Sequence, residues 1–209
     1  STLRLTLFPY TTLFRSKKQD GRRLRSAASR QRIVEAMRDL IREGNVAPRA
    51  EEVATRANVG LRTVFRHFDD MESLYREIGA LAMMDAEPLL DLSEPTGTVE
   101  ERLHQMIERR SRLFERIMPF RIAADANTHR SPYLIEDRNR MNAGLRELLR
   151  NALPANIRKD KTAVDALDAL LSFDMWRRLR VDQRLSIPQA KRTIEAMGLA
   201  LVAPAPNKR

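Results

Sequence analysis

Apolar residues recur at helical spacing along almost the whole chain after residue 26. Over 27–43 they fall three or four positions apart and form one stripe, with arginines around the rest of the helix surface. The same period returns over 48–57, 61–67, 69–92, 99–118, 132–153, 162–179 and 187–203. The pattern predicts an all-α protein.

Glycine, asparagine and proline mark the ends of these predicted helices. Gly44 suits the left-handed cap that ends the first helix. Asn58 follows a short second helix and predicts a sharp turn, because asparagine tolerates positive φ. Gly60 suits the N-cap of a third helix over 61–67. Pro119 predicts the end of the fifth helix, or a kink in it.

The opening segment, STLRLTLFPYTTLFRS, departs from the helical pattern. Its leucines alternate as in a strand, and it lacks the order of charged, apolar and small residues that a signal peptide has. It resembles translated sequencing-adapter sequence. We therefore expect residues 1–16 not to be native, with a natural leader as the alternative.

Composition narrows the class of protein. The chain has 209 residues and no cysteine, which excludes disulfides and favours a reducing compartment, here the cytoplasm. With 43% hydrophobic and 32% charged residues it reads as a folded domain. No apolar stretch approaches the roughly 18–20 residues that span a bilayer, so we expect no membrane partner.

Positive charge is concentrated at the N-terminal end. The formal net charge is +10, and residues 1–25 contain seven basic residues against Asp20 alone. The basic residues are Arg4, Arg15, Lys17, Lys18, Arg22, Arg23 and Arg25. This distribution predicts a basic arm that contacts a polyanion, with a solubilising disordered tail as the alternative.

Two short helices joined by a tight turn, after a longer helix, predict a helix-turn-helix. We expect three parts: a disordered leader and basic arm over 1–25, a DNA-binding domain over 26–77, and a second helical domain over 78–204. The third helix is expected to turn Leu61, Arg62, Thr63, Arg66 and His67 outward, a set suited to base edges and phosphates. A solvated helix face is the alternative.

The segments RIVEAM, LIREG, EEVATRANVGLRTVFRHF and DDMESLY together resemble the DNA-binding domain of the tetracycline-repressor (TetR) family. The resemblance is specific over about 28–77 and weaker beyond. It implies a homodimer on a palindromic double-stranded DNA operator, dimerisation through the last two long helices, and repression relieved by a small molecule. It also adds Gly60 and Phe65 to the DNA-contact positions.

Three positions depart from the family pattern. Phe65 stands where the family often has tyrosine, Met71 where lysine is common, and Gly60 where serine is common. Each departure removes a phosphate contact. Backbone affinity is then expected to depend on Arg62, Arg66, His67 and the amides at the start of the fourth helix, with the basic arm as a further source.

Methionine and aromatic residues in the second domain are candidates for a ligand cavity. Adaptable apolar pockets often have such walls, and we select Phe114, Met118, Met141 and Phe173. Ordinary core packing is the alternative for each of them.

Catalytic and metal chemistry find no support in the sequence. The three histidines, His67, His104 and His129, lie on separate segments without metal-ligand spacing, and no phosphate loop or nucleophile elbow occurs. We therefore expect no enzyme activity and no cofactor. The function predicted is a ligand-released transcriptional repressor. The alternatives are a DNA-binding regulator without a small-molecule effector, and a helical scaffold or enzyme.

Overall fold

The computed structural model describes residues 21–89, 91 and 93–203, and every regular element among them is helical. The expected leader, 1–16, and two residues of the basic arm, Lys17 and Lys18, lie outside the described residues. The α-helices, in chain order, are α1 Gly21–Arg42, α2 Ala50–Arg56, α3 Leu61–His67, α4 Met71–Ala86, α5 Val99–Ala126, α6 Pro132–Ala152, α7 Ala155–Lys159, α8 Lys161–Leu170, α9 Phe173–Arg177 and α10 Ile187–Val202. The all-α prediction is confirmed.

The chain forms two compact units. Among the described residues, unit 1 comprises 21–85 and 117–140, and unit 2 comprises the residues of 86–116 and 141–203. The second segment of unit 1 lies within 78–204, which the sequence predicts as a single domain.

Unit 1 is built on a core that α1 to α4 share with the end of α5 and the start of α6. Ile33, Met37, Val53, Val64 and Leu74 are at most 1% exposed and belong to one cluster. Ala123 and Leu134, from the second segment of the unit, are part of the same cluster. Helices α1 to α3 therefore share their core with residues that lie more than 40 positions further along the chain.

The side chain of Asn127 links the end of α5 to α4 and to the segment before α2. Its side chain is buried and its Nδ2 group donates to the carbonyl of Val46 and to the hydroxyl of Tyr75, both at 3.0 Å. It also donates to the carbonyl of Ala123 at 2.8 Å. Val46 precedes α2 and Tyr75 lies on α4, so one amide links three parts of the unit.

Unit 2 has its own core, in which several large side chains are at most 2% exposed: Leu103, Phe114, Leu149, Val164, Leu167 and Trp176. The indole N–H of Trp176 donates to Glu115 Oε1 at 2.9 Å, and Arg180 binds the same carboxylate. Trp176 therefore belongs to the core of unit 2.

A buried guanidinium crosses the core of unit 2. Arg110 donates to the carbonyl of Leu171 at 2.7 Å and to that of Leu145 at 2.5 Å. Burial lowers the pKa of Arg110 to about 10, while the charge of Asp168 opposes that shift. The group stays protonated at neutral pH, and it ties the end of α8 to the middle of α6.

Three helix boundaries differ from the predictions. Helix α1 begins at Gly21, so residues 21–25 of the expected disordered arm are helical, since no helix breaker follows the glycine. Helix α5 runs unbroken through Pro119 to Ala126. The missing N–H of a proline costs one intrahelical hydrogen bond, and burial of the residues on both sides holds the helix together.

The third difference lies in the segment 162–179, predicted as one helix. It is divided at Leu171, and the hydroxyl of Ser172 accepts from the amide of Met175 at 3.2 Å. A serine that caps a new helix competes with continuation of the old one.

We expect Asn127→Ala to lower the free energy of unfolding by about 1–3 kcal/mol, because the buried hydrogen bonds to the hydroxyl of Tyr75 and to the carbonyl of Ala123 would be lost. Urea denaturation measures this change. The matched control is Asn142→Ala, at an exposed position of α6, for which we expect a change within about 0.5 kcal/mol. Equal effects of the two substitutions would contradict the assignment.

Candidate nucleic-acid interface

The turn between α2 and α3 fixes the angle at which these two helices meet. Asn58 has a φ of 51°, in the left-handed region that asparagine tolerates. The amide of Val59 donates to the carbonyl of Ala54 at 3.0 Å, which closes the turn onto the end of α2. Gly60 is the N-cap of α3, and its carbonyl accepts from the amide of Thr63 at 2.8 Å. The predicted turn and N-cap are both confirmed.

Val64 sets the rotation of α3 about its own axis. It is 1% exposed and anchors the helix to the core of unit 1. Successive residues of an α-helix are rotated by about 100°, which places Arg62 and Arg66 opposite Val64, with Leu61 and Phe65 on one flank of it. All four are exposed and together form the outward face. Arg62 and Phe65 lie nearest the middle of the arc that these four residues occupy.

The seven predicted DNA-contact positions are not equivalent. Five are exposed, namely Gly60, Leu61, Arg62, Phe65 and Arg66. Thr63 and His67 are half-buried. Because they are four residues apart, they lie together on one flank of Val64, and Leu61 and Phe65 lie on the other flank.

His67 is turned partly into the protein. Its Nε2 atom is buried and has no hydrogen-bond partner among the described residues. Burial lowers the pKa of His67 below its ordinary value, and the charges of Arg66 and Arg30 lower it further. The imidazole is therefore neutral at pH 7, and Nε2 is closed to a phosphate in this conformation. The phosphate contact of His67 stays a prediction, and a neutral imidazole would have to make it.

Helix α1 runs in the same direction as α4. Arg30 pairs with Glu77, and Arg38 pairs with Asp85, so the two ion pairs follow the same order along both helices. The guanidinium of Arg30 also lies 4.7 Å from the centre of the Phe68 ring, just beyond the end of α3. The first turn of α1 therefore extends on the side of the unit where α3 ends and α4 begins.

The start of α4 is a poor anion site, which corrects one expectation from the sequence. The carboxylate of Asp70 accepts from the amide and from the hydroxyl of Ser73, each at 2.7 Å. These bonds lower the pKa of Asp70 and keep it ionised. Asp69 and Glu72 add negative charge in the same turn. A phosphate would find the Ser73 amide already occupied and would be repelled by these carboxylates.

Charge of the opposite sign lies at the first turn of α1. Arg23 and Arg25 are exposed, and neither forms an ion pair within the described part of the chain. The backbone of Arg22 is helical as well. These arginines belong to the expected basic arm, and the helix gives them a fixed direction.

The four residues selected for a ligand cavity are divided. Phe114 and Phe173 are 1% and 3% exposed, and their rings meet edge to face at 5.6 Å between centres. Met118 and Met141 are half-buried, and Met118 falls in the segment assigned to unit 1. The structure thus brings the two phenylalanines together, as a packed pair.

Two open grooves lie elsewhere, on unit 2. One is lined by Leu185, Gln189, Arg192, Thr193, Ala196 and Met197, and the other by Ser111, Arg112, Glu115, Arg116, Ile187 and Lys191. None of the four selected residues lines either groove.

A metal-binding group and a membrane-spanning helix are both absent from the described residues. They contain no group of three or more His, Asp or Glu side chains placed to hold a metal ion. None of their helices is long and apolar enough to cross a membrane.

Because the folded pKa of His67 lies below its ordinary value of 6.5, protonation favours the unfolded state. The stability contributed by the neutral imidazole is present above that value and is lost as pH falls below it. Between about pH 7.5 and 5.5 we expect His67→Gln to lose less unfolding free energy than the wild type, as measured by urea denaturation. An equal loss in His67→Gln and in the wild type would rule out this role.

Comparison with known proteins supports the helical fold. No protein-family model and no curated protein matches the chain. Among solved structures, it is similar to a TetR family transcriptional regulator from Pseudomonas syringae pv. tomato str. DC3000. The TM-score is 0.53 and the identity 22%, over 82% of this chain and 93% of that chain. The chain therefore has the fold of a TetR family transcriptional regulator.

Proposed function

We propose that this protein is a DNA-binding transcriptional regulator in which α3 enters the major groove. The observation that carries the proposal is the outward face of α3, where Arg62 and Arg66 stand exposed beside Leu61 and Phe65. A helix held by a tight turn, with cationic donors on its free face, suits the width of the major groove. The likeness to a solved regulator supports the same function.

Arg62 is the best candidate to read a base. It lies near the middle of the outward face, and its guanidinium can donate two parallel hydrogen bonds to O6 and N7 of guanine. Arg66 lies at the edge of the face, where a phosphate contact fits better. Phe65 lacks the hydroxyl of the family tyrosine and offers an apolar ring in its place.

We propose that the regulator is a homodimer, formed through its C-terminal helices. One side of α10 is buried within unit 2, at Ala190, Ile194 and Gly198. Another side exposes Met197 and Leu201, which are 38% and 41% exposed. Such an apolar stripe, beside an open groove, fits a second copy of the chain. Two α3 helices about 34 Å apart would then read an inverted repeat.

Repression and its release by a small apolar ligand complete the proposal, and both follow the family resemblance. A ligand that favours a dimer with wrongly spaced α3 helices needs about 2.7 kcal/mol of differential binding to weaken operator binding a hundredfold. Because the rings of Phe114 and Phe173 pack on each other, a ligand at this place must separate them. The cytoplasm, where such a regulator meets DNA, is the proposed location.

Selection of duplexes from a random pool by the purified protein tests the proposal. We expect recovery of an inverted repeat, with a guanine at the position that Arg62 reads. Recovery of no sequence would contradict DNA reading and favour a scaffold. In the same selection, Arg62→Ala should relax the preference at one base pair per half-site, a loss of about 1–3 kcal/mol.

The control for Arg62→Ala is Arg150→Ala, an exposed arginine in the last turn of α6. It should leave the selected sequence unchanged. If the base preference survives Arg62→Ala as well, another side chain reads that position.

The first turn of α1 is proposed as a second DNA contact. It carries exposed Arg23 and Arg25 on the side of unit 1 where α3 ends, while the start of α4 is acidic. Because α1 extends beyond the end of α3, these arginines would lie over phosphates or an adjacent minor groove.

Replacing Arg23 and Arg25 with glutamine should flatten the salt dependence of binding. The slope of log K against log salt falls by about 0.9 for each lost phosphate contact. Arg150→Gln with Arg158→Gln removes the same charge from exposed positions of α6 and α7 and should leave the slope unchanged. Equal slopes in the two double variants would exclude the contact.

A further inference from the structure

We propose that Leu61 and Phe65 form an apolar reader of thymine 5-methyl groups. This inference rests on the proposed function, because it names the base chemistry that the same face of α3 would recognise. It makes the half-site a combination of guanine, read by Arg62, with thymines placed along α3.

The exposure of this pair is the first argument. Phe65 is 47% exposed and Leu61 is 37% exposed, while Phe68, the other aromatic residue of the same motif, is 3% exposed. Val64 anchors the helix to the core without help from either of the two. The fold of unit 1 therefore leaves them free for contact with a partner.

Position is the second argument. Residues four apart lie on the same side of an α-helix, so Leu61 and Phe65 form one ridge. The exposed guanidinium groups of Arg62 and Arg66 lie alongside it. An apolar ridge bordered by cations matches a surface that is anionic at its edges and locally apolar within, which describes a major groove containing thymine.

Base chemistry then selects thymine. In the major groove, guanine, adenine and cytosine present hydrogen-bond donors and acceptors alone, and thymine presents the apolar 5-methyl group beside its O4 acceptor. Leucine and phenylalanine side chains have no donor to satisfy a polar edge, and they would desolvate it at a cost. Against a methyl group the same side chains gain apolar contact.

The spacing along the helix makes the inference more specific. Leu61 and Phe65 are one turn apart, about 6 Å along the axis, and successive bases of a strand rise by about 3.4 Å. With α3 lying along the groove, the two side chains reach positions about two base steps apart. We therefore expect one or two critical thymines per half-site.

Single replacement of thymine by deoxyuridine in the selected duplex tests this inference, since it removes the methyl group and keeps the base pair. For the wild-type protein we expect about a fourfold loss of affinity at each critical thymine, measured by fluorescence anisotropy. Replacements elsewhere in the half-site should have no effect.

Variants of the protein then assign the contact. In Phe65→Ala or Leu61→Ala, replacement of the matching thymine should change affinity less than twofold. Met84→Ala, at an exposed apolar position of α4, should keep the wild-type sensitivity. Phe65→Leu replaces Phe65→Ala if the latter unfolds, and it should show a reduced sensitivity.

The two levels of the proposal fail differently. A selection that recovers no duplex overturns the proposed function and this inference together. A recovered duplex whose thymines can all be replaced without loss overturns the inference alone. The same holds for a loss that persists in both alanine variants, and either result leaves the apolar ridge to contact another protein.

Discussion

Burial of Val64 is the constraint on which the candidate interface depends. A helix of seven residues has little stability of its own, so its rotation is set by what it packs against. Val64 enters a core that includes Ile33 and Val53, and the positive-φ turn at Asn58 holds α3 at a fixed angle to α2. With these two features in place, the helix can present only one outward face. The exposure of Arg62 and Phe65 and the partial burial of His67 both follow from that single rotation.

Electrostatics divide the side of unit 1 that we propose to face DNA into two parts. The start of α4 carries Asp69, Asp70 and Glu72, and its cap is already occupied. The start of α1 carries Arg23 and Arg25, which form no ion pair with any described residue, and α1 runs in the same direction as α4. Affinity for a polyanion is therefore expected to come from α1 and from the arginines of α3. The amides of α4, which the sequence favoured, would contribute little.

Local patterns in the sequence predicted the fold well, whereas long-range packing was out of their reach. Helical periodicity, Asn58 and Gly60 depend on neighbouring residues, and they located α2, α3 and all but one end of α1 and of α4. Pro119 was predicted to end the fifth helix or to kink it. The helix continues because the packing around this half-buried proline depends on distant residues. Asn127 and Arg110 were missed because a polar residue on an amphipathic helix gives no local sign that it will be buried. The motif predicted the exposure of Leu61, Arg62 and Arg66, and the family resemblance added Gly60 and Phe65. The partial burial of Thr63 and His67 depends on the rotation that Val64 imposes. The packing of Phe114 against Phe173 likewise depends on the tertiary fold.

The central claim is that the rotation set by Val64 directs Arg62 and Phe65 into the major groove. A crystal structure of the protein on its selected duplex tests this most directly. The account predicts the guanidinium of Arg62 within hydrogen-bond distance of a guanine edge, and the ring of Phe65 in contact with a thymine methyl group. A complex in which α3 lies outside the groove, or in which Arg62 and Phe65 contact only solvent or phosphate, would contradict it.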